Sequence, residues 1–446
     1  MSYIDAAQSA AAWLLGKSIP TSCGIAWPTV DGVPAHVRPD LYDGSAGVIL
    51  ALIALHGATG NAAYLANAEL AADQLLREIE SVTGCGLYFG LAGIGISLHE
   101  VAKASGRADH SEALHRCVEL IAQRAQRRGS GIAWEELTPQ PQAPWRPPRS
   151  YHWHDLIRGS SGTGLFLLWA ASELGDDGIA DLAVEVGNRL LDVADWDAGR
   201  ASWTAGEEHS VRTPNFAHGV AGVVYFLVTL ADAVDDERFL EAAIGGARFL
   251  QSMAVTTEGL CLIPMAMRMG RQEGSYVPAY HLGWCHGPSG TGRTWWRLAQ
   301  VTGDDGWIAW LDRSARSLLP GAIPPSIEGT VERVEPPGTW PNTVVCHGSA
   351  GNALFLLGAH AATGDETYLN VAYKMMDDCI SRSLTTEFGM CWPELIPRRD
   401  ERGAMTRQFH TGYSTGTAGV AAALVRMHVA RHGKPPPVRL PDDPFN

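Results

Sequence analysis

Three short segments bring soft metal ligands up against glycines that open apolar stretches: Trp284-Cys285-His286-Gly287, Val345-Cys346-His347-Gly348 and Asn215-Phe216-Ala217-His218-Gly219. Thiolate sulfur and imidazole nitrogen are the ligands zinc prefers. Two thiols and one imidazole would fill three tetrahedral positions and leave the fourth open. That is the arrangement of a catalytic rather than a structural zinc, because a substrate or water has to enter there. Buried cysteines packed in a core are the simpler reading of any one segment. Cys and His recurring at equivalent points of a repeat favour a shared metal site.

The segments belong to a larger pattern, G-x-x-G followed by an apolar run. It begins at Gly44, Gly90, Gly159, Gly219, Gly287, Gly348 and Gly416, at intervals of 46, 69, 60, 68, 61 and 68 residues. A lone G-x-x-G says little, but a seven-fold array spaced by roughly one helix pair marks a repeat architecture. Runs such as Val48 to Leu55 are apolar nearly all round, as helices buried on every side must be. Between them lie amphipathic stretches, among them Ala63 to Ile79, Ile179 to Ala194 and Thr367 to Leu384. Their apolar residues recur three or four apart. Inner buried helices alternating with half-exposed outer ones predict an all-α fold, an α/α toroid of two concentric helical rings. A closed ring needs all its units to bury a common core, so residues 1–446 are expected to form one domain. The proline-rich stretches 138–149 and 435–446 should be non-helical.

A net charge of -14, with 34 basic against 48 acidic residues, excludes a basic nucleic-acid groove. The first residues lack a charged segment followed by an apolar core, so no signal peptide is expected. The apolar runs are shorter than the about 20 residues a spanning helix needs. We therefore expect no membrane span and a cytoplasmic location, where most of the eight cysteines stay reduced. At the mouth of such a ring the residues just before the glycines converge on one cavity. This brings Asp43, Asp155, His218, Cys285 and Cys346 together, with His347 in the same motif as Cys346. Helix capping is the expected role of Asp43. His410 and Tyr413 are candidates for the cavity wall, and Trp295-Trp296 for the core.

Trp-Cys-His-Gly at 284–287, Cys-His-Gly at 346–348 and Ala-His-Gly at 217–219, set within these repeats, resemble the lanthionine synthetase C (LanC-like) family of lanthipeptide cyclases. The likeness runs from Asp40-Leu41-Tyr42-Asp43-Gly44 to Gly416-Thr417-Ala418-Gly419. It implies an α,α-toroid and a Zn²⁺ held by Cys285, Cys346 and His347. By the same match His218 is the acid/base histidine, and Asp155, in Asp155-Leu156-Ile157-Arg158-Gly159, is the family's aspartate. Some members carry arginine four residues before the first zinc cysteine; His281 stands there, which leaves its role open, as is that of His286.

The implied chemistry can be rebuilt from these groups. Bound to zinc, a peptide thiol is deprotonated at neutral pH. It then adds to the β-carbon of a dehydroalanine or dehydrobutyrine, and the α-carbon must be protonated. Imidazole titrates near the working pH, which suits His218 as acid, with Asp155 orienting it. The expected substrate is a dehydrated precursor peptide, supplied by a separate dehydratase or kinase/lyase partner because no such module is visible in the chain. Rival readings are addition of glutathione or another small thiol to dehydrated residues, a zinc prenyltransferase-like toroid, and a non-catalytic scaffold. A glycosidase would need paired carboxylates, and no comparable constellation is found.

Overall fold

The computed structural model describes residues 1–138, 149–207, 209, 212–265, 280–323, 342–399 and 405–445. Seven helices of 15 residues follow the glycine motifs: α2 (Ser45–Thr59), α4 (Leu91–Ser105), α6 (Ser160–Leu174), α8 (Val220–Val234), α10 (Pro288–Thr302), α12 (Ser349–Thr363) and α14 (Thr417–Arg431). In each, the first glycine of the motif is the N-cap and offers no side chain to the exposed N–H groups. Each packs on the next, and α14 returns to α2, so the inner ring closes. The outer helices are α3 (Ala62–Glu78), α5 (Ala108–Arg124), α7 (Asp177–Asp192), α9 (Glu237–Met253), α11 (Gly306–Arg316) and α13 (Glu366–Ser381), each against the inner helix before it. Helix α1 (Tyr3–Gly16), which the sequence reading did not anticipate, takes the outer place beside α14. The architecture is an all-α, α/α toroid.

Local chemistry explains the two kinds of helix. In α2 every residue from Ser45 to Leu55 is buried. In α7 the buried positions Ile179, Ala183, Val186, Gly187 and Leu190 make a single stripe. Inner helices turn sharply into outer ones: Gly60, Gly175 and Gly364 adopt the left-handed conformation at the C-cap. Asn61, Asp176 and Asp365 then cap the following helix through their side chains. Returns from outer to inner helices carry short antiparallel hairpins, such as Gln126–Arg128 with Gly131–Ala133 and Pro393–Arg399 with Met405–Phe409. At two to seven residues per strand, these are too brief to leave a period in the sequence. No described helix is long and apolar enough to cross a membrane.

Of the proline-rich stretches, residues 139–148 lie outside the described residues, while Thr138 and Arg149, which flank them, pair as the facing end residues of two antiparallel strands. The C-terminal tail is non-helical and mostly packed into the toroid. Phe445 is buried over Gly358, where a β-carbon would come within 2.3 Å of its ring, and lies parallel to Trp296 at 6.4 Å. Asp442 accepts hydrogen bonds from the Tyr88 hydroxyl (3.1 Å) and the Trp284 indole (3.2 Å). Arg293 donates to its carbonyl at 3.0 Å, and Arg426 pairs with Asp443. Burial pushes the Asp442 carboxyl up; Asp443 is held below the usual range because Arg426 and Arg293 outweigh its burial. Removing the Phe445 ring should destabilise the fold by about 3–5 kcal/mol. Denaturant titration of Phe445→Ala measures this, with Leu384→Ala, an exposed position, expected to stay within about 0.5 kcal/mol of the parent.

Candidate metal and thiol site

A single register position in every glycine motif is tied to the next by the backbone. The residue two before each first glycine donates its N–H to the carbonyl of the equivalent residue in the neighbouring loop: Tyr42 to Tyr88 (3.0 Å), Tyr88 to Ile157 (2.9 Å), Ile157 to Ala217 (3.2 Å), Ala217 to Cys285 (3.1 Å), Cys285 to Cys346 (3.2 Å), Cys346 to Ser414 (2.9 Å) and Ser414 back to Tyr42 (2.8 Å). The chain of bonds closes on itself around the toroid. It makes Cys285 and Cys346 immediate neighbours although sixty residues of sequence separate them. Glycine allows this close approach: a β-carbon on Gly287 would meet the His281 carbonyl at 2.3 Å, and one on Gly290 the Trp284 carbonyl at 2.1 Å.

Cys285, Cys346 and His347 offer ligand atoms that all lie within 4.8 Å of one another. Both thiols are buried. The hydrogen bond from Cys285 pulls the Cys346 pKa well below the ordinary thiol range against its burial, helped by His347 and the Tyr42 hydroxyl. Cys285, as donor of that bond and buried, is pushed well up. The Tyr42 hydroxyl donates to Cys346 Sγ at 3.0 Å. Burial opposes charge on His347, but Cys346 and Glu394 together raise it to about 10. Two thiols and an imidazole within reach of one another make a donor set that fits zinc. The other such group among the described residues, Asp73, Asp109 and His110, differs: the Arg107 guanidinium already occupies both carboxylates.

Next along the ring stands the pair His218 and Asp155, Nδ1 to Oδ2 at 2.8 Å. Asp155 divides its two oxygens between two tasks. Oδ1 accepts from the backbone N–H groups of Arg158 and Gly159, both at 2.8 Å, fixing the turn into α6, and Oδ2 holds His218. Asp155 thus ties the loop before α6 and contacts His218, but it does not cap α6, whose N-cap Gly159 has no side-chain cap hydrogen bond. Burial lowers the His218 pKa, but the hydrogen bond and charge of Asp155 outweigh it, and the ring sits above the usual imidazole value. His286 lies 5.6 Å from His218 and 6.1 Å from His281 between ring centroids, and His281 lies 6.2 Å from His347. Burial, then the neighbouring imidazoles, lowers His281 to about 4 and His286 to about 3, so both rings are neutral.

Asp43 differs from expectation. Asp40 Oδ1 accepts from the Asp43 N–H at 2.9 Å, and the Asp43 carboxyl takes the Thr415 hydroxyl instead of capping α2. Burial raises it to about 7. Tyr413 lines a cavity with Tyr88, Trp284 and Asp442 that Cys285, Cys346, His347, His218 and His410 do not line, and Trp295 is buried in the core. Two partners of the thiol site had not been singled out. Tyr42 was legible as the ring-position residue of the first motif. Glu394 comes from a hairpin outside every motif and left no signal.

The structure thus defines an α/α-toroid protein with paired thiols and an imidazole before the helix N-termini of its inner ring. A family described as lanthionine synthetase C-like protein matches residues 35–432, and the chain belongs to that family. Its backbone is similar to that of nisin cyclase, with 15% identity over 88% of this chain and 89% of the other at a TM-score of 0.62. It also resembles a family 76 glycoside hydrolase (mannosidase) from Bacteroides thetaiotaomicron, with 12% identity over 97% of this chain and 100% of the other at a TM-score of 0.53. No curated protein matches its sequence. Such distant likenesses establish the toroid alone, and the chemistry has to be argued from the site.

If Asp155 sets the proton affinity of His218, its removal lowers that affinity. Folding then favours the protonated ring: stability from this group is full below the unfolded value of about 6.5 and is lost as pH rises through the higher folded pKa. NMR titration should place His218 above about 6.5 in the metal-free parent and lower in Asp155→Asn. An unchanged midpoint would contradict the assignment.

Proposed function

We propose that this protein is a zinc-dependent lanthionine synthetase. It would add cysteine thiols of a dehydrated precursor peptide to that peptide's dehydroalanine and dehydrobutyrine residues, forming lanthionine and methyllanthionine rings. The observation that carries this reading is the juxtaposition of Cys285, Cys346 and His347 with the His218–Asp155 pair on adjacent loops of one ring. Family membership and the likeness to nisin cyclase support it. Zinc bound by the two cysteines and His347 would supply a substrate cysteine held as its thiolate at neutral pH.

The protein's own groups do the rest. The substrate sulfur forms a bond to the β-carbon, the alkene π pair moves toward the α-carbon, and His218 delivers a proton there. Asp155 holds Nδ1, so Nε2 is the nitrogen left for that transfer, and the Asp155 hydrogen bond and charge raise the ring's proton affinity against its burial. The proton lost by the thiol balances the one gained at carbon, and ring closure leaves the peptide mass unchanged. His281 and His286, kept neutral, add no competing positive charge. The dehydrated peptide would come from a separate dehydratase or kinase/lyase.

Purified protein should contain one zinc per chain by metal analysis, lost in Cys285→Ala, Cys346→Ala and His347→Ala; full occupancy in all three would place the metal elsewhere. His218→Asn should retain the metal and cyclise about 10²–10⁴-fold more slowly, and an unaltered rate would remove His218 from the mechanism. Incubating a dehydrated, cysteine-containing peptide with the protein and millimolar glutathione separates the two thiol sources. Loss of alkylatable thiol without mass change is expected, because a thiol on the same chain has the higher effective concentration. Enzyme-dependent glutathione adducts as the main product would replace the cyclase reading with small-thiol addition.

A further inference from the structure

The metal-site histidine has a second partner that no glycine motif supplies. Glu394 lies in the strand Pro393–Arg399, and its Oε1 sits 3.1 Å from His347 Nε2 while Oε2 sits 3.1 Å from His410 Nε2. One carboxylate therefore spans two imidazoles from consecutive motif loops. The strand is pinned where it delivers this group: Asn342 Oδ1 accepts from the Leu395 N–H at 2.6 Å, and its amide donates to the Leu395 carbonyl at 3.3 Å. The Asn342 carbonyl also accepts from Ser349 N–H at 3.0 Å, at the start of the helix that follows Cys346 and His347. A single buried asparagine thus fixes the glutamate's strand and the ligand loop relative to each other.

With Nε2 held by a carboxylate, the only nitrogen His347 can turn toward Cys285 and Cys346 is Nδ1. Imidazole ligands that donate their other N–H to an acid are fixed in tautomer and ring orientation, and they bind metal more tightly. We infer that Glu394 is the positioning residue of the metal site: it accepts the Nε2 proton of His347 and leaves Nδ1 for the ion. The inference rests on the zinc reading above and adds a residue that neither the sequence motifs nor the resemblance assigned.

The test measures zinc affinity by chelator competition on the full chain, together with the visible spectrum of the cobalt-substituted protein. Parent, Glu394→Gln and Glu394→Ala are compared. The alanine variant should bind zinc about 10–100-fold more weakly and shift the cobalt bands. Glutamine, which preserves the hairpin and can still accept the Nε2 proton, should fall between. The metal-free melting temperatures of the two variants should agree, which separates a positioning role from general loss of structure. Parent-like affinity and cobalt spectra in both variants would overturn the role of Glu394 while leaving the zinc centre in place. A parent protein that binds no zinc would overturn the zinc reading and this inference with it.

Discussion

The constraint on which the rest depends is the closed circle of backbone hydrogen bonds through Tyr42, Tyr88, Ile157, Ala217, Cys285, Cys346 and Ser414. A helical hairpin has no intrinsic reason to align its entry loop with that of the next hairpin to within one residue. The circle imposes that alignment, because a slip at any loop would leave a buried N–H and a buried carbonyl unpaired, each costing about 1–3 kcal/mol. Once the register is set, side chains two and one before each glycine become columns of a common rim. Substituting residues at those positions changes chemistry without changing architecture. A toroid of similar backbone occurs in a family 76 glycoside hydrolase, so the fold by itself does not set the chemistry.

The candidate site groups are concentrated on one arc of the rim. Cys285, Cys346 and the following histidines occupy adjacent loops, and His218 comes from the loop before them. Each functional group is held by a partner of its own: Tyr42 on Cys346, Glu394 on His347, Asp155 on His218. The support continues inward. Trp284, directly before Cys285, donates to Asp442 of the C-terminal tail, so the tail's buried charges and the first thiol share one rigid segment. Low dielectric in this interior strengthens satisfied contacts and makes unsatisfied ones expensive, which favours a single arrangement.

Much of this was written in the sequence. The glycine spacing placed all seven inner helices within a residue of their N-caps, and the 3.6-residue period found the outer ones, because a buried helix and a half-buried helix leave distinct patterns. His218, Cys285, Cys346 and His347 stand one or two residues before their glycines, which is the register of the rim, while Asp155 stands four before its own and meets His218 from there. Helix α1 and the hairpins did not stand out; α1 follows no glycine motif and is alanine-rich, and the hairpin strands are too brief for a period. The tail read only as a loop, since proline content announces the absence of helix and says nothing about burial. Asp43 was misread because an aspartate before a helix looks like a cap whether or not its side chain turns back. Glu394 was invisible, since its importance comes from a strand crossing to a loop that precedes it by nearly fifty residues.

The central claim is that the two thiols and His347 hold a metal with room for a substrate sulfur. X-ray absorption at the zinc edge, recorded on the metal-loaded protein before and after adding a dehydrated peptide with a free cysteine, tests it directly. The account predicts two sulfur and one imidazole scatterer with a light atom in the resting protein, and a third sulfur at about 2.3 Å when the peptide binds. A sulfur count that stays at two with peptide bound would contradict it.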